Sequence, residues 1–346
     1  MQRQDTDFPV AEVRSRFPYA ERDFTGRKRA FLDNGAGSLV LDTAARAEME
    51  ARLRFSANTD GGYDESVANE NTIAEGREHI AMLFNAPPSG RHVFSGESAS
   101  SMIFRFAYAL RNHKGGRDAN IVTTMSEHLA NYAPYIQLKR DGFVSEVRAV
   151  PPLHREDGTI DMDSLASMAD HRTRIVAVTA ESNLLGNKSD LQAASRIAHE
   201  NDAILLVDGG VHYMPQALCD VQAIGCDFFV FSSYKMFGPR GGAFAYMSED
   251  AVSLIDPFHV DREASRGGPL VFRDWHQGPG LLRGHVGGRQ VHSRALRQEQ
   301  CGQERCKGRD GQDRGVPGYH DKVVARWPGG PGRPGVHKGC RTLRDS

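Results

Sequence analysis

The chain has 346 residues, with 43 Lys and Arg against 44 Asp and Glu, and 39% of its residues are hydrophobic. That balance is that of an ordinary soluble protein with one large core or two smaller ones. No apolar run is long enough to span a bilayer, the polar start "MQRQDTDFPVAEVRSRF" lacks the apolar stretch of a signal peptide, and five irregularly spaced cysteines offer no disulfide framework, so a reducing cytoplasm is expected.

In chain order, "TAARAEMEARLRFSA" and "ENTIAEGREHIAMLFNA" read as long helices. "RHVFSG" (91–96) reads as a strand, followed by an amphipathic helix through "SSMIFRFAYALRN". "NIVTTM" (120–125) is a short apolar strand, and "LANYAPYIQLKRD" follows it. "FVSEVRAV" (143–150) alternates, and "TRIVAVTA" (173–180) is a buried strand. "SDLQAASRIAHEND" (189–202) is a helix with Ser189 and Asp190 as candidate caps. "AILLVDGG" (203–210), "CDFFVFSS" (226–233) and "GGAFAYMS" (241–248) complete the strands. Apolar strands alternating with helices predict an α/β domain with a mostly parallel sheet covered on both faces.

Ligands of such sheets sit beyond the C-terminal strand ends. There the sequence places Ser95 to Ser100, Glu127, His128, Asn183, Asp208, His212 and Ser232 to Lys235. Lys235, after a buried strand, suits a Schiff base with a carbonyl cofactor or a solvated loop. Asp208 ends "ILLVD", where a carboxylate needs a cationic partner: a protonated pyridine, or an ordinary salt bridge or cap. Pyridoxal phosphate requires both a lysine and such an acid. His128 suits stacking on a flat ring, or a histidine satisfied by backbone. Asn183 and His212 suit bonds to a phenolic oxygen, or turn chemistry. The stretch "SGESASS", containing Ser98 and Ala99, opens a helix whose N–H groups suit a phosphate, with the Ser232 hydroxyl in support.

The motifs "FLDNGAG", "SEHLANYAP", "VTAESNLLGNKSDL", "LLVDGGVHYMP" and "DVQAIGCDFFVFSSYKMFGPRGG" resemble, in order, those of the class V aminotransferase family of pyridoxal-phosphate enzymes, in its cysteine-desulfurase-like branch. The resemblance covers about residues 10–276. It implies a fold type I major domain with a mostly parallel seven-stranded sheet, a smaller domain built from the N-terminal segment and the C-terminus, an amino acid substrate held as an external aldimine, and a homodimer. It gives Lys235 the internal aldimine and the proton shuttle, Asp208 the pyridine nitrogen, and His128 the ring face. Asn183 and His212 fall near the phenolic oxygen, and Ser98, Ala99 and Ser232 at the phosphate. Metal and nucleic acid are not expected partners. Transamination, epimerisation and lyase chemistry remain open within the family.

Two details depart from the family pattern. His212 stands four residues after Asp208 rather than three, as if one glycine were inserted in "DGGVH", and Tyr234 occupies the position before the lysine that is often histidine. The expected division is 1–20 as an N-terminal segment, 21–258 as the cofactor-binding domain and 259–346 as the remnant of the small domain.

Residues 279–346 are different in kind. They carry 14 Lys and Arg against 6 Asp and Glu, hold 14 of the 36 glycines, and contain no Ile, Phe, Met or Asn. Residues 1–278 carry 29 against 38. No apolar period persists in the tail, so it cannot offset its ordering entropy. Out-of-frame translation is the leading reading. A basic disordered tail and a metal-binding tail using Cys301, Cys306 and Cys340 are the others, the last fitting no zinc spacing. A catalytically incomplete, cofactor-binding protein is therefore an alternative to an active enzyme.

Overall fold

A computed structural model of the chain describes residues 9–59, 61–87, 92–154, 156–210 and 219–256. His212 and the whole tail after residue 256 lie outside the described residues. All seven predicted strands are present: β1 Val93–Gly96, β2 Asn120–Thr124, β3 Glu146–Val150, β4 Thr173–Thr179, β5 Ile204–Asp208, β6 Phe228–Ser232 and β7 Ala243–Met247. They form one sheet in the order β1-β7-β6-β5-β4-β2-β3. β2 to β6 pair in parallel, and β7 lies antiparallel between β1 and β6.

The helices are α1 Val10–Ser15, α2 Asp42–Arg54, α3 Asp64–Leu83, α4 Ala99–Ala109, α5 Ala133–Arg140, α6 Met162–Met168, α7 Leu191–Glu200, α8 Val221–Ile224 and α9 Glu249–Leu254. Strand alternation sorts the core into two layers. Leu205, Val207, Phe229 and Phe231 face one side and pack with Ile80 and Phe84 at the end of α3 and with Leu191, Ala194 and Ala198 of α7. Ile204, Leu206, Phe228 and Val230 face the other side, against Phe106 of α4 and Tyr135 and Leu138 of α5. Phe106 stacks on Phe228 with centroids 4.2 Å apart, and Phe84 meets Phe231 edge-on at 5.5 Å.

Three details differ from the pattern reading. Of the two cap candidates, Asp190 is the cap, accepting from the Ala193 N–H at 2.9 Å, while the Ser189 hydroxyl donates to the Thr179 carbonyl. β3 starts at Glu146 because Phe143 and Val144 turn into the α4–α5 layer instead. α6, between β3 and β4, is too short to show a period.

A third, small core ties the N-terminal segment to the far end of the sheet. Val13 and Phe17 pack with Leu41, Ala44 and Phe237, and Phe17 meets Phe237 edge-on at 5.5 Å.

Candidate active site

Lys235 ends a single 3-10 turn, Ser233–Lys235, that leaves β6 directly. Ser233 makes this turn. Its hydroxyl donates to the carbonyls of Pro239 and Gly242, and its own carbonyl accepts from Met236 and Gly238. Lys235 is half-buried. Burial holds its ammonium below the ordinary lysine range, and the Asp208 charge opposes this only in part. The amine is thereby made a better nucleophile than a solvated lysine.

Asp208 closes β5, beside β6, and is 7% exposed. It stands in register with Thr179 on β4 and Val230 on β6. The glycine pair of "DGGVH" follows it directly. A Cβ on Gly209 would sit 2.7 Å from the Val230 carbonyl oxygen, so only glycine fits that close approach. Gly210 has φ +61°, and its N–H donates to Asp208 Oδ1 at 3.0 Å. The two glycines turn the chain back onto the carboxylate it has just left.

The sheet brings together a second cluster. Gly96, Ala243 and Ser232 stand side by side across β1, β7 and β6. Ser98 caps α4: its hydroxyl accepts from the Ser101 N–H at 3.1 Å, and the Ser101 hydroxyl reaches the Ser98 N–H at 3.3 Å. The Ala99 N–H points to the Ser232 hydroxyl at 3.4 Å, a long and weak bond. One helix N-terminus and two hydroxyls thus converge where an anion is favoured.

His128 caps the 3-10 turn Leu129–Asn131. Its exposed ring accepts from the Ala130 N–H at Nδ1, 3.1 Å away. Asn183 is exposed in the loop after β4, which the Ser182 hydroxyl shapes by accepting from the Leu184 and Leu185 N–H groups.

One residue whose role sequence reasoning missed is Glu127. Its Oε1 accepts from the Thr124 hydroxyl at 2.8 Å and from the Thr179 N–H at 2.9 Å. Oε2 accepts from Asn131 Nδ2 at 2.6 Å, and Asn131 Oδ1 accepts from the Tyr135 hydroxyl at 2.8 Å. Burial outweighs these donors and pushes the carboxyl up to about 8, with the Asp208 charge adding to the shift. The available signal was its position after β2; its partners lie on three other segments.

The described cysteines, Cys219 and Cys226, are both buried and unpaired. Burial raises both thiols above the ordinary range, which makes poor nucleophiles of them. Among the described residues no group of His, Cys, Asp and Glu could hold a metal ion, and no helix is long and apolar enough to cross a membrane.

The family model "Aminotransferase class-V" matches residues 30–264. A cysteine desulfurase of Enterobacter sp. (strain 638) is 34% identical over 253 residues, which is 72% of this chain and 61% of that protein. One from Salmonella typhimurium is 33% identical over 254 residues, with the same coverage. The chain thus spans about three-fifths of the length of these relatives. Two solved structures share the fold. One is the cysteine desulfurase CsdA of Escherichia coli, with TM-score 0.69, 22% identity, and coverage of 85% of this chain and 74% of that one. The other is a cysteine desulfurase of Thermococcus onnurineus, with TM-score 0.72, 22% identity, and coverage of 87% and 76%.

Proposed function

We propose that this chain, which belongs to the class V aminotransferase family of pyridoxal-phosphate-dependent enzymes, in its cysteine-desulfurase-like branch, acts on the α-carbon of an amino acid through Lys235. One observation carries the reading. A half-buried lysine in the turn leaving β6 stands beside a buried carboxylate that ends the adjacent parallel strand β5, close enough for the carboxylate's charge to act on the lysine. The donor set fits the cofactor's three recognised parts: an amine for its aldehyde, a buried acid for its ring nitrogen, and a helix N-terminus with hydroxyls for its phosphate. When bound, pyridoxal phosphate supplies an electron sink for charge developing at the substrate α-carbon.

The roles are those the family motifs imply. Lys235 Nζ would hold the cofactor covalently, and the same amine would carry the α-proton. Asp208 would hold a proton at the ring nitrogen, and Gly210 N–H orients that carboxylate by bonding Oδ1. The Ala99 N–H, bonded only weakly to Ser232, and the hydroxyls of Ser98 and Ser232 would receive the phosphate. The family motifs would give His128 one ring face and Asn183 and His212 the phenolic oxygen, His212 lying outside the described residues. Residues 21–258 form the cofactor-binding domain, with 1–20 and 259–346 assigned to the small one. A homodimer, supported by the family motifs where the C-terminus is intact, and a cytoplasmic location, supported by the irregular cysteine spacing, complete the reading.

The test is covalent trapping. The full chain with pyridoxal phosphate should show a visible band, and borohydride should fix the label on Lys235, located by peptide mass spectrometry. Lys235→Ala should lose the covalent label. Asp208→Asn should retain it with an altered spectrum. A label fixed elsewhere in the folded chain sinks the reading.

A second reading is a protein that holds the cofactor without turning substrate over. Where the similarity stops favours it: the family match ends at residue 264, and the composition changes at about 279. Sulfur transfer, in particular, would need a cysteine other than the two buried ones. Spectral loading at Lys235 with no amino acid turnover would select this reading.

A further inference from the structure

Residues 37–41 cross the turn that carries Lys235, although they stand about two hundred residues away in the chain. Ser38 makes the contact. Its N–H and its hydroxyl both donate to the Tyr234 carbonyl, each at 2.9 Å. The same hydroxyl accepts from the Phe237 N–H at 2.7 Å. The peptide group entering Lys235 and the one two residues beyond it are therefore held by a single side chain. Leu41 N–H adds a bond to the Phe237 carbonyl at 3.0 Å.

The geometry demands such a hold. Phe237 has φ +63°, a left-handed conformation that a bulky side chain adopts only under constraint. Its ring is locked against Phe17 and its two backbone groups are bound by Ser38 and Leu41. Gly37 makes the approach possible. A Cβ there would lie 2.9 Å from Tyr234 Cδ2 and 3.0 Å from Arg240 Nη2. The Arg240 guanidinium itself lies over the Tyr234 ring, 4.5 Å from its centroid. Tyr234 is thus packed closely against both Gly37 and Arg240, and Lys235 is the next residue.

We propose that Ser38 is a positioning residue for Lys235: its one hydroxyl, acting as donor and acceptor at once, holds the turn in the strained form that aims the lysine into the site and keeps it half-buried. This rests on the cofactor reading for its purpose but not for its geometry. Serine and threonine can do it, cysteine weakly, alanine not at all. Misplacing a reacting group by about 1 Å costs up to about a hundredfold.

The experiment compares wild type, Ser38→Ala, Ser38→Cys and Ser38→Thr in the full chain, with two readouts. The first is the rate of reductive methylation of Lys235 by formaldehyde and cyanoborohydride, by peptide mass spectrometry, with exposed Lys188 as internal reference. The second is the borohydride-fixed pyridoxal phosphate label at Lys235, with the visible circular dichroism of the bound cofactor. Ser38→Ala should slow Lys235 methylation toward the Lys188 rate. It should also cut labelling on the order of tenfold and abolish the dichroism, with threonine restoring all three and cysteine falling between. Should the alanine variant not fold, the cysteine variant must still show the partial loss. Methylation that responds to Ser38 while wild type takes no label at Lys235 supports the positioning role and removes the cofactor reading. Folded Ser38→Ala with wild-type methylation and labelling overturns the proposal.

Discussion

Glu127, in the turn after β2, accepts a hydrogen bond from the backbone N–H of Thr179, the last residue of β4, at 2.9 Å. Thr179 in turn stands in register with Asp208. A carboxyl group outside the set of strand-end residues assigned a role thus links three of the strand ends that make the site.

Its ionisation should be visible in stability. Burial pushes Glu127 up to about 8 in the folded chain, against about 4.3 for an unfolded glutamate. Between those values the folded state holds a proton that the unfolded state has lost, so stability falls as pH rises through the window and is level on either side. Glutamine cannot titrate. Glu127→Gln should therefore flatten the dependence of the urea midpoint between about pH 5 and about pH 8. Glu127→Ala, which leaves the Thr179 N–H and Asn131 Nδ2 without their acceptor, should cost about 1–3 kcal/mol. A wild-type pH profile in Glu127→Gln would refute the assignment.

His199 gives a second, separable pH dependence at the other end of the sheet. Its Nε2 lies 2.8 Å from Asp227 Oδ2, and that hydrogen bond raises its pKa, with burial opposing. The stability it contributes is complete below the unfolded value of about 6.5 and is lost as pH rises through the raised folded value. His199 is half-exposed, so solvent limits the contribution to roughly 1 kcal/mol or less. His199→Gln should remove this upper-pH loss without altering the Glu127 window. Urea midpoints of the two single variants and the double variant should show the effects adding.

Arg174 should be among the most sensitive positions for folding. It is 0% exposed and has no carboxylate partner among the described residues; its guanidinium donates instead to the carbonyls of Arg111, Lys114, Gly116 and Phe143. Burial lowers it to about 10. Those carbonyls belong to the turn after α4 and the start of the β3 approach, and no shorter side chain reaches all four. Arg174→Ala should destabilise by about 3–5 kcal/mol, and Arg174→Lys by more than half of that, as measured by urea unfolding.

The two glycines after Asp208 should not tolerate alanine, for different reasons. Gly209→Ala drives a methyl onto the Val230 carbonyl, a backbone atom that cannot move aside. Gly210→Ala forces φ +61° on an alanine and sets its methyl 2.7 Å from the Glu181 carbonyl oxygen. Each should cost about 1–3 kcal/mol. Each should also weaken the hold on Asp208, read as a shifted visible band in pyridoxal-phosphate-loaded protein. Thermal midpoints equal to wild type for both would contradict the packing described.

The strands were legible because their signal is local. "TRIVAVTA" and "CDFFVFSS" each hold a continuous apolar run, residues 175–178 and 228–231, as strands buried on both faces do. Asp208 and Lys235 stood out because each ends such a run. Three things escaped that reading. Asp227, inside "CDFFVF", looks like an intrusion, yet it accepts from the Leu205 N–H, His199 and the Ser248 hydroxyl, and is a buried anchor. "FLDNGAGS" belongs to a recognisable motif, but no residue in it announces a bond to a turn two hundred residues on. Glu127 stands among the strand-end residues, but nothing local marks its role, because its partners come from a strand, a turn and a neighbouring strand end.

The sequence by itself determined the seven strands, the placement of Asp208 and Lys235 at strand ends, and the abrupt change of composition at about residue 279, because periodicity, runs and counts depend only on near neighbours along the chain. Tertiary structure alone decided the rest. The strand order set Gly96, Ala243 and Ser232 side by side, and folding brought Ser38 onto the lysine turn. It also gave Lys235 a lowered and Glu127 a raised pKa. Those properties depend on which distant segments exclude water from a polar group and which supply its partners, and neither is a property of the local sequence.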